Sequence, residues 1–271
     1  MMVMNLTVNL KPWRFLSPST NDGPTNMAID EALLESRIEG LAPNTVRLYQ
    51  WAPSTVTIGR HQSLSLEVDL EELDKRGYQV VRRISGGGAV LHAEGKEITY
   101  SVVMARKDLA CILGKKAPSI DDVYGFIMRA IQETLSTLAL ETERGKIGCP
   151  ALFLDGKKFS GNAQCIKRNV FLQHGTILLG VDPGVMYSVL KPPEGVEQSK
   201  MVRSVKAKVT GIGHNMRSKV TLATFASAFK KSMEHQVGAP FIDGCLSERE
   251  KTRVRDLKRK YASREWSMRY P

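Results

Sequence analysis

Within eleven residues, Arg82-Arg83-Ile84-Ser85-Gly86-Gly87-Gly88-Ala89-Val90-Leu91-His92 gathers two guanidiniums, a hydroxyl, three consecutive glycines and an imidazole. Glycine tolerates positive φ and carries no Cβ, so backbone N–H groups in such a turn can close on an anion, and the arginines add fixed positive charge. The chemistry this suits is the holding of a phosphate or an acyl phosphate. The stretch is not a P-loop, because no Gly-Lys-Ser/Thr follows the glycines. Nor is it a dinucleotide turn, which must open a helix. The competing reading is a wide glycine hairpin whose arginines are merely solvated.

A second group lies in Gly156-Lys157-Lys158-Phe159-Ser160-Gly161-Asn162-Ala163, just past the turn Asp155-Gly156. Asp-Gly between apolar runs signals a two-residue hairpin, which sets Leu154 opposite Lys157, Phe153 opposite Lys158 and Leu152 opposite Phe159. Successive residues face opposite sides, so one lysine leans inward, where an ammonium needs a carboxylate or phosphate; the alternative is two solvated lysines. Cys149 precedes this hairpin. Beside Lys146, Lys157 and Lys158 its thiol reads either as a nucleophile of lowered pKa or as an inert buried group. His174 shares a strand face with Val170, Leu172, Thr176 and Leu178, so it is either a hydrogen-bonded structural histidine or a catalyst, and His92 has the same two readings. The four cysteines show no C-x-x-C spacing, so neither a zinc site nor a disulfide framework is expected.

The elements that must position these groups follow from periodicity. Trp13–Leu16, Val46–Tyr49, Thr55–Gly59, Tyr78–Val81, Glu97–Val103, Ala151–Leu154, Lys157–Ser160 and Val170–Val181 are predicted strands. Asn26–Glu39 is a predicted helix with Met27, Asp30, Leu33, Leu34, Arg37 and Ile38 on one face. Val68–Arg76 is a shorter one. Ile120–Leu138 is the clearest: Val123, Phe126, Ile127, Ala130, Ile131, Thr134, Leu135 and Leu138 form a 3.6-residue stripe. Val220–Val237 carries Leu222, Phe225, Phe229 and Met233 on one side. Hairpins mixed with helices argue for an α+β architecture.

The hydrophobic fraction of 42% over 271 residues supports a substantial core. No apolar run approaches the ~20 residues of a membrane helix, and the N-terminus lacks a basic, cleavable leader, which points to the cytoplasm. A formal charge of +11 favours an acidic partner. From Ser247 to Pro271 there are nine Lys/Arg against four Asp/Glu, with Val254, Leu257 and Tyr261 on one helical face. This tail reads as an amphipathic helix packed on the body, giving a main domain over 1–245 and a basic helical segment over 246–271. No nucleic-acid-binding signature accompanies the charge, and neither nucleic acid nor a membrane is an expected partner.

The Arg82–His92 stretch, the Gly156–Gln164 stretch and Gln173-His174-Gly175-Thr176-Ile177-Leu178-Leu179 occur in this order. With Asn26-Met27-Ala28-Ile29-Asp30-Glu31-Ala32 and Lys260-Tyr261-Ala262-Ser263-Arg264-Glu265-Trp266, they resemble the lipoate–protein ligase and octanoyltransferase family, relatives of biotin–protein ligase. The resemblance implies a mixed, largely antiparallel sheet flanked by helices, of the biotin/lipoate-ligase and class II synthetase-like type. It implies an acyl-adenylate pocket lined by Arg83, Ser85, Gly86, Gly87, Gly88 and Ala89, with His92 at its edge. Lys158 would be the central catalytic cation, and Ser160, Gly161, His174 and Gly175 the adjoining wall, with no protein-bound metal site.

The resemblance puts first an ATP- and Mg²⁺-dependent lipoate–protein ligase catalytic subunit. It would activate lipoate or octanoate as the acyl-adenylate and pass it to a lysine of a lipoyl domain. The expected partners are lipoyl domains of 2-oxoacid dehydrogenases or the glycine cleavage H protein, with a separate accessory subunit possible. The alternative is a Cys149-dependent octanoyl or lipoyl transferase that draws on an acyl carrier protein and needs neither ATP nor metal. A third reading is a non-catalytic lipoyl-domain-binding or nucleic-acid-binding module. One departure separates the first two: ligases of the family carry Asn-Asp just before the lysine hairpin, and this chain reads Cys149-Pro150-Ala151-Leu152.

Overall fold

The computed structural model describes residues 12–145, 150–214 and 220–270. β1 (Arg14–Leu16) and β2 (Ser19–Asn21) lead into α1 (Gly23–Ile38), and β3 (Thr45–Trp51) and β4 (Thr55–Ile58) precede the short helices α2 (Leu64–Glu67) and α3 (Leu70–Lys75). Then come β5 (Gln79–Arg82), β6 (Val90–His92), β7 (Glu97–Ala105), α4 (Arg106–Leu113) and α5 (Ile120–Thr137). The second half runs β8 (Glu143–Arg144), β9 (Ala151–Leu154), β10 (Lys157–Lys167), β11 (Val170–Leu178), α6 (Pro183–Val189) and α7 (Gln198–Lys208). It closes with α8 (Leu222–Val237), β12 (Ile242–Gly244), α9 (Glu248–Ala262) and α10 (Arg264–Ser267).

Among the described residues the main sheet is ordered β12-β1-β3-β7-β11-β10-β9-β8, with β2 beside β3. Its centre is antiparallel, and β1 runs parallel to β3 and β12. Both faces are covered. Leu48, Tyr100, Val102 and Met104 pack with the stripes of α5 and α8, whereas Tyr49, Trp51, Val103 and Leu172 pack with α1 and Tyr261 of α9. Every residue of β7 is therefore buried, as expected for a central strand between two helical layers. The fold is α+β, a mixed sheet flanked by helices, and no helix among the described residues is long and apolar enough to cross a membrane.

Local chemistry explains the helices. Ser119 opens α5 with a reciprocal capping box to Asp122, worth about 1 kcal/mol against alanine. Inside it, Val123, Phe126, Ile127, Ile131 and Leu135 are fully buried, each contributing roughly 1.5–3 kcal/mol by removal from water. α1 starts earlier than the periodicity predicts: the Asp22 side chain accepts from Thr25 N at 2.8 Å and Pro24 sits in the first turn. Nor does it bury a single stripe. Ala28, Ile29 and Glu31 are buried along with Met27, Asp30 and Leu33, because α9 covers the side that would otherwise meet water.

The glycine segment departs from expectation most. It is not a hairpin joined to the Glu97 strand. β5 pairs parallel with β4 and β6 pairs antiparallel with the same strand, a separate sheet ordered β5-β4-β6. The turn thus arches over the end of β4, while β7 belongs to the main sheet.

Candidate active site

The arch over β4 leaves no room at its base. A Cβ on Gly59 would lie 2.0 Å from the Gly87 carbonyl oxygen, and Gly87 itself has φ of +94°. Both positions demand glycine, one for close approach and one for conformation. The arginines brace this arrangement. Arg83 donates to the carbonyls of Gly86 (2.8 Å), Gly88 (2.7 Å) and Thr57 (3.2 Å), and to the Thr57 hydroxyl (3.1 Å). Among the described residues it has no carboxylate partner, and burial lowers its pKa to about 10, so it remains a cation at neutral pH. Arg82 faces elsewhere. It donates to carbonyls of Gly59, Gln62, Ser267 and Tyr270, at 2.6–3.1 Å, and so clamps the C-terminal segment to the second sheet. Neither arginine is merely solvated, and only Arg83 reaches the cavity below the turn.

That cavity, about 280 Å³, lies between the arch and the β10–β11 hairpin. The hairpin registers Leu154 with Lys157 and Phe153 with Lys158 as the turn chemistry predicts, but Leu152 then pairs with Ser160. Phe159 is the extra residue of a β-bulge and is fully buried. Both lysines are exposed, and Lys158 is the one that faces the cavity. Its Cε and Nζ lie 3.5 Å from where a Gly161 Cβ would be, and its side chain lines the cavity. Its backbone is held from the other side, where Thr210 N donates to the Lys158 carbonyl at 2.9 Å. Gly175 is equally constrained, since a Cβ there would meet Asn162 Oδ1 at 2.3 Å and Tyr100 OH at 2.7 Å.

Two buried polar networks hold the walls. In the first, His174 Nδ1 meets Asp30 Oδ2 at 2.9 Å and its Nε2 meets Ser85 Oγ at 2.6 Å. Asp30 also accepts from Arg47 at 2.9 Å and from the Tyr49 hydroxyl at 3.2 Å. Burial would raise the Asp30 pKa, yet the His174 hydrogen bond and the Arg47 charge outweigh it and hold the pKa below the usual carboxylate value. With the proton of a neutral imidazole on Nδ1, Ser85 donates to Nε2, so the network ties the glycine arch to β11. In the second, His92 bridges Glu97 (2.7 Å) and Thr57 (2.9 Å) and stacks on Trp51 at 4.1 Å.

Of the residues singled out from sequence, Arg83, Gly87, Gly88, Ala89, His92, Lys158, Gly161, His174 and Gly175 line the cavity together. Ser85 stands behind His174, Gly86 is exposed at the arch, and Ser160 is buried below, its hydroxyl without a hydrogen-bond partner among the described residues. None of these three lines the cavity. Cys149 lies outside the described residues; Pro150, bonded to it, has its carbonyl held by Asn162 Nδ2 at 2.6 Å, and Asn162 lines the cavity. Periodicity gave no hint of Met27, Trp51 and Val90 as lining residues, because in sequence they read as ordinary core; Thr176, on the strand face of His174, lines it too. Asp30 did carry a signal: a carboxylate beside an apolar stripe needs a buried partner.

Among the described residues no carboxylate lines the cavity, where one or two would ordinarily help the phosphates hold the magnesium of a nucleotide. What the walls can do is stabilise a developing oxyanion with the Lys158 ammonium, backed by the charge of Arg83, whose own N–H groups are spent on Gly86, Gly88 and Thr57.

Residues 22–234 match the family of the lipoyl protein ligase A/B catalytic domain. Among curated relatives, octanoyltransferase LipM of Moorella thermoacetica is 34% identical, over 94% of this chain and 97% of that protein. Octanoyltransferase LipM of Brevibacillus brevis is 32% identical, over 96% and 100%. Among solved structures, the bi-partite lipoate protein ligase of Thermoplasma acidophilum superposes with a TM-score of 0.83 at 24% identity, covering 97% of this chain and 98% of the other. A lipoate-protein ligase A bound with ATP gives 0.80 at 24% identity, covering 96% and 100%; likeness at that identity speaks for the fold. Family match and near-full-length relatives together establish that this chain is an enzyme of the lipoyl protein ligase A/B catalytic-domain family.

Proposed function

We propose that the chain is an octanoyltransferase, taking an octanoyl group from a thioester on an acyl carrier protein and passing it to a lysine of a lipoyl domain, without ATP. The acceptor domains are those of 2-oxoacid dehydrogenases or the glycine cleavage H protein. The observation that carries this reading is the cavity lining: Lys158 and Arg83 with apolar Met27, Trp51 and Val90, and no carboxylate among the described lining residues. The near-full-length relatives named octanoyltransferase support the same choice. The ATP-dependent ligase that the resemblance put first gives way to the thioester alternative, and magnesium and ATP go with it.

The proposed reaction has two balanced steps. The Cys149 thiolate attacks the octanoyl carbonyl, the C–S bond to the carrier breaks, and the carrier leaves as a thiol after taking up a proton. The lipoyl-domain lysine amine then attacks the Cys149 thioester, forming the amide and returning the Cys149 thiol. Each step passes through an oxyanion, and Lys158 supplies the ammonium that balances it. Arg83 and the backbone of Gly87 and Gly88 shape the arch above the carbonyl. His174, locked by Asp30 and Ser85, keeps arch and hairpin in register. Incubation of enzyme, lipoyl domain and octanoyl carrier protein without ATP tests this. Octanoylation that is lost in Cys149→Ala supports it; octanoylation that requires octanoate, ATP and Mg²⁺ refutes it.

A further inference from the structure

The formal charge of +11 is not evenly expressed on the surface. α9, the most basic stretch in sequence, is largely neutralised by its neighbours. Arg249 and Arg253 meet Glu39 at 3.3 and 2.7 Å, Lys258 meets Asp22 at 2.8 Å, and Lys260 meets Glu31 at 2.6 Å. α7 is the opposite case. It carries Lys200, Arg203, Lys206 and Lys208 and no acidic residue, and all four are exposed. Among the described residues no carboxylate pairs with any of them; Glu194 and Glu197 come only before the helix begins.

The arrangement is specific. Lys200, Arg203 and Lys206 recur at three-residue spacing and form one outward stripe, while Met201, Val202 and Val205, half-buried, turn toward the body. Like charges at that spacing cost the helix stability, so the stripe is not there to hold the fold. The C-terminal end of α7 abuts the cavity: Val209 bridges to Lys158 in parallel register, and Thr210 N bonds the Lys158 carbonyl at 2.9 Å. An eleven-residue helix extends about 16 Å from that point.

We propose that the outward face of α7 is the docking surface for the acyl donor, an acidic carrier protein that presents octanoyl as a thioester on a flexible arm; this rests on the transferase reading above. Charge complementarity selects an acidic partner. The donor, not the acceptor, is its occupant for two reasons. The donor must feed a whole acyl chain past Lys158, and α7 runs outward from the Lys158 backbone. The acceptor's reacting group is itself a lysine, whose ammonium the stripe repels.

The test compares two donors in single-turnover acylation of the enzyme at low salt: octanoyl acyl carrier protein, and the neutral thioester octanoyl-N-acetylcysteamine. In Lys200→Glu/Arg203→Glu/Lys206→Glu, the second-order rate constant with the carrier protein should fall about 10-fold or more and lose its salt dependence. The rate with the neutral thioester should stay unchanged, which also reports an intact fold. The corresponding triple Gln variant should show a smaller loss of the same kind. An equal fall with both donors would overturn the proposal. So would an unchanged carrier-protein rate accompanied by slower transfer to the lipoyl domain, which would assign α7 to the acceptor. Failure of the unaltered enzyme to accept acyl from either donor would instead overturn the transferase reading, and the docking proposal with it.

Discussion

Replacing Asp30 by Asn keeps the shape of the side chain and removes its charge, at a residue only 1% exposed. Arg47, 2% exposed and paired to it at 2.9 Å, would lose that carboxylate charge while keeping Asn26 and the face of the Tyr49 ring as neutral partners. Breaking a buried pair by removing one member costs about 3–5 kcal/mol. For a chain of 271 residues that corresponds to a midpoint fall of roughly 5–9 °C. The loss should depend on pH. The Asp30 pKa is lowered in the folded protein, so its contribution is fully present above the unfolded carboxylate value of about 3.9 and is lost as pH falls through the lower folded value. Urea unfolding of both proteins from pH 7 to pH 3 should show a gap of several kcal/mol at pH 7 that narrows as the pH falls below about 4. A gap under about 1 kcal/mol at pH 7, or one that does not change with pH, would refute this account of the Asp30–Arg47 pair.

Lys158→Ala should fold normally and lose about 10²–10³-fold in transfer rate if the ammonium faces the oxyanion; unchanged turnover would mean the cavity is not where acyl transfer occurs. Gly59→Ala, whose Cβ would sit 2.0 Å from the Gly87 carbonyl, should displace the arch and abolish transfer, while core unfolding changes by about 1–3 kcal/mol; retained activity would contradict the close approach. Arg82→Ala strips the carbonyls of Gln62, Ser267 and Tyr270 of a shared donor, and limited proteolysis should then cut first in the segment after Ala262. If the variant digests as slowly as its parent, Arg82 is not the clamp.

Helices whose stability is local were legible. The α5 stripe and the turn at Asp155-Gly156 read directly from spacing, and both are in place. The Arg82–His92 stretch was legible as a glycine turn but not as an arch, because β5 and β6 are joined through β4, a strand from earlier in the chain. The role of Arg82 was hidden for the same reason: its acceptors include carbonyls 185 and 188 residues away. Leu152–Leu154 gave the hairpin register only as far as Lys158, since nothing in the sequence marks the bulge at Phe159. Charge counting placed the basic surface at the C-terminus, where carboxylates of α1 and of its two caps meet it; the unpaired stripe on α7 emerges only once partners are known.

The most direct measurement is intact-mass spectrometry of a lipoyl domain after incubation with this enzyme and octanoyl carrier protein, with nucleotide and divalent metal removed. The expected result is one octanoyl group added to the domain, none with Cys149→Ala, and only a small modified fraction in the same time with Lys158→Ala. An unmodified domain under those conditions, becoming octanoylated only when octanoate, ATP and Mg²⁺ are supplied, would contradict it.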